Sequence, residues 1–182
     1  MQDELEILRD VSMRLESAGI AFMLTGSIAM NYYAQPRMTR DIDLVVALDA
    51  ANAETFAQLF EPDYYLDRKA ITGAIVRQSV FNLVHNESVI KVDCIVLKRD
   101  AYWQEEFERR QRITIGDFQT WIVNCEDLIL SKLWWAFDSH SEMQIRDVIN
   151  LLKADCDRDY LQKRAAVLGV GELLDEVQKR NE

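Results

Sequence analysis

"LTGSIAMNYYAQPRMTRDIDLVV", residues 24–46, decides the fold. Gly26-Ser27 stands between the apolar run "IAFML" and a short apolar helix, "IAMNYYA", which Pro36 stops because its ring removes a backbone donor. The chain then returns to strand in "RDIDLVVAL". Side chains alternate across a strand, so Asp41, Asp43, Val45 and Ala47 share one face while Ile42, Leu44, Val46 and Leu48 share the other. The second face is wholly apolar. Two carboxylates are therefore carried at the mouth of a strand whose other side asks to be buried.

The same alternation recurs in "VIKVDCIVL", with Ile90, Val92, Cys94 and Val96 on an apolar face and Lys91, Asp93, Ile95 and Leu97 opposite. Residues two apart on a strand lie about 6.5–7 Å from each other, so two carboxylates can converge on a pair of divalent ions while a neighbouring strand supplies a third. Carboxylates combined with phosphate oxygens suit a hard cation such as magnesium. The two histidines, His85 and His140, have no metal-ligand spacing. At Gly26-Ser27, glycine permits close approach of a ligand to the backbone, and the free N–H groups of a helix start attract an anion such as a triphosphate. Two plainer roles compete: Ser27 as a helix N-cap, and the aspartate pair as a solvated strand end.

Working outward, Leu5, Leu8, Val11 and Leu15 predict a helix over 3–18 that Gly19 ends before the first strand. Residues 50–60 read as helix. "SVFNLVH" and "VIKVDCIVL", joined through Asn86-Glu87, predict an antiparallel hairpin; a charged helix follows over about 100–111. "RITIGDFQTWIV" predicts a second hairpin with Gly116-Asp117 at its turn. From residue 125 everything reads as helix, with stripes such as Ile145, Val148, Ile149 and Leu152, and with Trp134 and Trp135 expected in the core. The expected architecture is α+β: a small mixed sheet flanked by helices over 1–124, then a C-terminal helical region over 125–182 that completes the site.

Composition narrows the partners. The 182 residues are 49% hydrophobic and 29% charged, those of an ordinary globular chain, and the net charge of -10 leaves no basic half to grip a long duplex. Arg37, Arg40 and the cluster Arg109, Arg110, Arg112 could still line a local groove. Cys94, Cys125 and Cys156 form no CxxC, which supports neither a disulfide framework nor a zinc site. No apolar run has the length of a membrane span, and the N-terminus is acidic where a signal peptide is basic. The expectation is a cytoplasmic protein with no membrane partner.

A Gly-Ser at a helix start, a D-x-D on the following strand and a third Asp on a later strand resemble the nucleotidyltransferase superfamily that includes DNA polymerase β. The chain is most similar to the AbiEii-type toxin nucleotidyltransferases, whose pattern continues through Lys91-Val92-Asp93, Asp127 to Lys132 in "DLILSK", and Asp147 in "IRDVINLL". The resemblance implies a nucleotidyltransferase sheet and transfer of NMP from a nucleoside triphosphate, such as ATP, to an acceptor hydroxyl. It implies two magnesium ions, with manganese as the alternative, held by Asp41, Asp43 and Asp93. Asp41, Asp43, Asp93 and Lys132 would then be the catalytic set, and Gly26, Ser27, Arg40, Lys91, Lys132 and Asp147 the nucleotide contacts. It also implies an RNA acceptor such as tRNA and a cognate antitoxin protein.

Other readings of the same residues stay open: transfer to a small molecule such as an antibiotic, transfer to a protein, or a silent nucleotide-binding module. Asp127 suits the first turn of a helix as well as a site, and Asp147 could pair with the adjacent Arg146. Lys132, five residues after Asp127 and so about 140° around the helix, is poorly placed to pair with it and is expected to be free for phosphate.

Overall fold

The computed structural model describes residues 2–180; Met1 and residues 181–182, which fall within the two expected ranges, lie outside the described residues. The chain forms two compact units: one takes in the chain up to Ile28 together with Met38–Val123, the other Ala29–Arg37 and the chain from Asn124 on.

The first unit is built on one sheet. Its elements in chain order are α1 (Gln2–Ser17), β1 (Phe22–Thr25), the start of α2 (Gly26–Tyr33), β2 (Ile42–Val46), α3 (Ala53–Phe60), β3 (Tyr64–Tyr65), α4 (Arg68–Arg77), β4 (Val80–His85), β5 (Lys91–Val96), α5 (Ala101–Glu108), β6 (Gln111–Ile115) and β7 (Phe118–Ile122). The seven strands lie in the order β3-β4-β5-β2-β1-β7-β6. Pairings β2/β5 and β1/β7 are parallel and the rest antiparallel, so the sheet is mixed, as expected.

The alternation predicted for β2 and β5 is realised in burial. Ile42, Leu44, Val46, Val92, Cys94 and Val96 are buried, and the residues between them are half-buried. The apolar face is closed by Leu8, Val11 and Leu15 of α1, all fully buried at helical spacing, and by an aromatic cluster. In that cluster the Phe56 and Phe60 rings meet tilted at 4.9 Å and Phe56 meets Phe81 edge-on at 5.4 Å, while Phe60 meets Tyr64 edge-on at 5.3 Å. Each such contact adds about 0.5–1.5 kcal/mol beyond simple burial. Gly19 ends α1 at φ +66 and Gly116 turns the β6–β7 hairpin at φ +59, both in the left-handed region that favours glycine.

The second unit is helical: the remainder of α2, then α6 (Cys125–Ser139), α7 (Glu142–Leu151), α8 (Arg158–Leu168) and α9 (Gly171–Lys179). Leu128, Ile129, Leu130 and Leu133 of α6 are all buried, and so are its polar Asp127, Ser131 and Lys132, so the first turns of α6 are enclosed on nearly every side and make it the central helix. Ser141 caps α7 and Asp157 caps α8, the latter accepting from Tyr160 N at 2.9 Å. The tryptophan pair departs from expectation. Trp135 is exposed and Trp134 half-buried, their rings edge-to-face at 5.5 Å, because Leu133 and Ala136, three residues apart, take the buried face of α6 and the two residues between them turn outward.

Candidate functional site

In the first unit, register and pleat bring polar groups into one row. Thr25 of β1 lies opposite Asp43 of β2, Asp43 opposite Asp93 of β5, and Asp93 opposite Asn82 of β4. Directly opposed residues project to the same side of a sheet, and neighbouring strands are about 4.8 Å apart, so four polar side chains cross four strands on the face away from the aromatic cluster. Asp41 stands one residue before β2, exposed. Thr25 and Asn82 were not singled out from sequence; in "VFNLVH" the lone polar residue between Phe81 and Leu83 is the signal that could have found Asn82.

A cation already stands among these carboxylates. Lys91 Nζ is 3.0 Å from Asp93 Oδ2 and 3.7 Å from Asp41 Oδ1, and the bond to Asp93 holds its pKa above the ordinary lysine range. Asn82 Nδ2 donates to Asp93 Oδ1, so both oxygens of Asp93 are engaged. Among the described residues no three His, Cys, Asp or Glu side chains converge closely enough to hold an ion as they stand. The donor chemistry nevertheless fits a hard cation: oxygen donors on adjacent strands around a positive charge, with no thiolate or imidazole in the row.

Gly26 is required here on two grounds. Its φ is +64, and a Cβ placed on it would lie 2.0 Å from Asp43 Oδ2, so the Asp43 carboxylate rests directly on the glycine that opens α2. Ser27, next in the helix, is half-buried, and Arg40 is exposed.

Lys132 and Asp147 lie in the second unit and are brought together there. Lys132 is not free: it is buried, donating to Asp147 Oδ2 at 2.8 Å and to Gln144 Oε1 at 3.1 Å. Asp147 pairs not with Arg146 but with Arg37, which donates through Nε and Nη2 at 2.9 Å each. Adjacent residues are 100° apart on a helix, so α7 turns Arg146 to solvent as it buries Asp147. Burial alone would raise the Asp147 pKa; the hydrogen bonds from Arg37 and Lys132 outweigh it and hold the carboxyl below its usual value. Asp127 is fully buried and accepts from the Tyr160 hydroxyl at 2.7 Å.

No family model and no curated protein sequence matches the chain. Solved structures do. An antigenic nucleotidyltransferase-like protein from Paracoccidioides brasiliensis is similar with a TM-score of 0.64 at 18% identity, over 98% of this chain and 89% of that one. The antibiotic-resistance factor ANT(2'')-Ia is similar with a TM-score of 0.60 at 12% identity, over 98% of both chains. A lincosamide antibiotic adenylyltransferase, solved with lincomycin bound, is similar with a TM-score of 0.54 at 18% identity, over 83% of this chain and 96% of that one. The fold of this chain is therefore that of the nucleotidyltransferases. Among the described residues no helix is long and apolar enough to cross a membrane.

Proposed function

We propose that the chain is a magnesium-dependent nucleotidyltransferase that moves NMP from a nucleoside triphosphate to an acceptor hydroxyl. The observation that carries this is the in-register pair Asp43 and Asp93, with Asp41 beside them and an ammonium group already between, next to the Gly26 helix start. Asp41, Asp43 and Asp93 would hold magnesium, which would supply charge neutralisation at the attacking and departing oxygens. The backbone at Gly26-Ser27, together with Arg40, Lys91 and Lys132, would bind the triphosphate, the helix start contributing its N–H donors. A carboxylate oxygen of Asp93 would accept the proton of the acceptor hydroxyl.

For the acceptor, the AbiEii-type pattern favours RNA such as tRNA, in a cytoplasmic toxin neutralised by an antitoxin. The likeness to a lincosamide antibiotic adenylyltransferase and to an antibiotic-resistance factor over most of their length supports a second reading, transfer to a small hydroxylated molecule. The deciding experiment incubates the protein with each α-labelled triphosphate, magnesium and a mixture of RNA, protein extract and aminoglycoside or lincosamide acceptors. An Asp41→Ala, Asp43→Ala variant runs beside it. Label that enters RNA and is lost in the variant supports the toxin reading, and label on the small molecules supports the second. Tight triphosphate binding with no release of pyrophosphate on any acceptor would overturn transfer itself.

A further inference from the structure

We infer that Arg37 is a positioning residue for Lys132, acting through Asp147; the inference rests on the proposed contact of Lys132 with the triphosphate. Lysine is a flexible chain ending in a point charge and does not aim itself, whereas a guanidinium is a rigid planar fork. Arg37 grips Asp147 with that fork, Nε on Oδ1 and Nη2 on Oδ2, which fixes the plane of the carboxylate. The oxygen gripped by Nη2 is the one that receives Lys132 Nζ at 2.8 Å. With Gln144 Oε1 as the second acceptor, the direction of the ammonium is set from two sides.

Arg37 is itself held by its backbone. Its N–H donates to Asn31 Oδ1 at 2.9 Å and its carbonyl accepts from Asn31 Nδ2 at 2.8 Å, while Asn150 Nδ2 donates to the carbonyl of Gln35 at 2.8 Å. The irregular loop around Pro36 is thus pinned on both sides of the proline by two asparagines, on α2 and α7, so that one side chain can reach a buried carboxylate. The side chains of Asp147 and Lys132 are 4% and 5% exposed, so their geometry is set by these partners and little by water.

Arg37→Lys keeps the charge and loses the fork, Arg37→Met loses both, and Asp147→Asn keeps the shape while weakening the hold on Lys132. The first readout needs no turnover: the rate at which an amine-reactive reagent labels Lys132, followed by mass spectrometry. In Arg37→Lys, with its melting temperature within a few degrees of the parent, labelling is expected to rise at least fivefold. The second is the KM for triphosphate, expected to rise five- to tenfold in Arg37→Lys with kcat changed by less than twofold, and further in Arg37→Met. Lys132 labelling and KM both at parental values in Arg37→Lys would overturn the inference, as would a KM rise that only follows the loss of melting temperature across the three variants. If the parent releases no pyrophosphate from any triphosphate, the proposed function fails. The labelling rates still decide whether Arg37 governs Lys132.

Discussion

Asp93 and Asp147 each accept from a lysine and from a second nitrogen donor, yet they live in different solvents. Around Asp93, which is 19% exposed, Lys91 is 40% and Asp41 57% exposed; Asp147 and Lys132 are almost fully enclosed. Coulomb energy scales inversely with the effective dielectric constant, so the same pairing is weak and exchangeable at the sheet and strong at α6 and α7. The enclosed pair also carries a desolvation cost that makes either partner expensive to lose. Groups that must release one cation to accept another belong on the sheet, and groups that must keep one geometry belong between helices.

The largest effect expected from this contrast is on chemistry. Asp41→Ala, Asp43→Ala should reduce nucleotide transfer at least about a thousandfold, equivalent to about 4 kcal/mol of transition-state stabilisation. Its melting temperature should stay within a few degrees of the parent, because Asp41 is exposed, Asp43 is only half-buried, and their removal relieves the repulsion of neighbouring like charges. A pyrophosphate-release assay beside a thermal melt checks both halves. A variant that unfolds would show these carboxylates to be structural and dissolve the comparison.

Asp147→Ala should do the reverse, losing about 3–5 kcal/mol in denaturant unfolding, since it leaves the buried Lys132 without its carboxylate. The pH dependence has a definite sign. The folded-state pKa of Asp147 lies below the ordinary value, so its stabilisation is present above that ordinary value, near 4, and is lost as pH falls through the lowered folded value. The parent should therefore lose more stability than the Asp147→Ala variant as the solution is acidified below about pH 4. Parallel stability curves for the two proteins would refute this assignment.

An intermediate effect belongs to Gly26→Ala. A left-handed φ costs a residue with a Cβ about 1–2 kcal/mol, and the added methyl would also displace the Asp43 carboxylate. Loss of about 1–3 kcal/mol with loss of transfer is expected; a stable and active variant would mean that Asp43 need not rest on this glycine.

What the sequence could show follows from the range of the interactions. Alternation is local, so the faces of β2 and β5 and both hairpins were legible, as were α1 and the helical C-terminal part. α4 was missed although Asp67 caps it by accepting from Lys69 and Ala70 N–H groups, because Arg68–Arg77 carries only a short apolar stripe of Ile71, Ala74 and Ile75. Strand order is not local, so nothing in "VFNLVH" says that Asn82 will pair with Asp93. The Arg37–Asp147 fork joins residues 110 positions apart, while sequence offers Arg146 next door. Adjacency proposed the wrong partner because a helix turns neighbours 100° apart.

The smallest effect sharpens the comparison most. Lys91→Met removes a cation that stands beside two carboxylates, where the buried Lys132 meets one, but Lys91 is too exposed for the pairing to carry much energy. Its raised pKa means the contribution is present below the ordinary lysine value and fades as pH rises through the higher folded value, so at neutral pH all of it is on display. Even so, stability should change by less than about 1 kcal/mol, the range of exposed ion pairs. Magnesium affinity, read by titration calorimetry in the presence of a non-hydrolysable triphosphate, should rise, because the ammonium no longer competes for Asp93 and Asp41. Weaker magnesium binding with intact stability would instead show that the charge Lys91 brings to the triphosphate outweighs its competition with the metal, and the sheet cluster would then depend on its lysine as firmly as the buried cluster depends on Lys132.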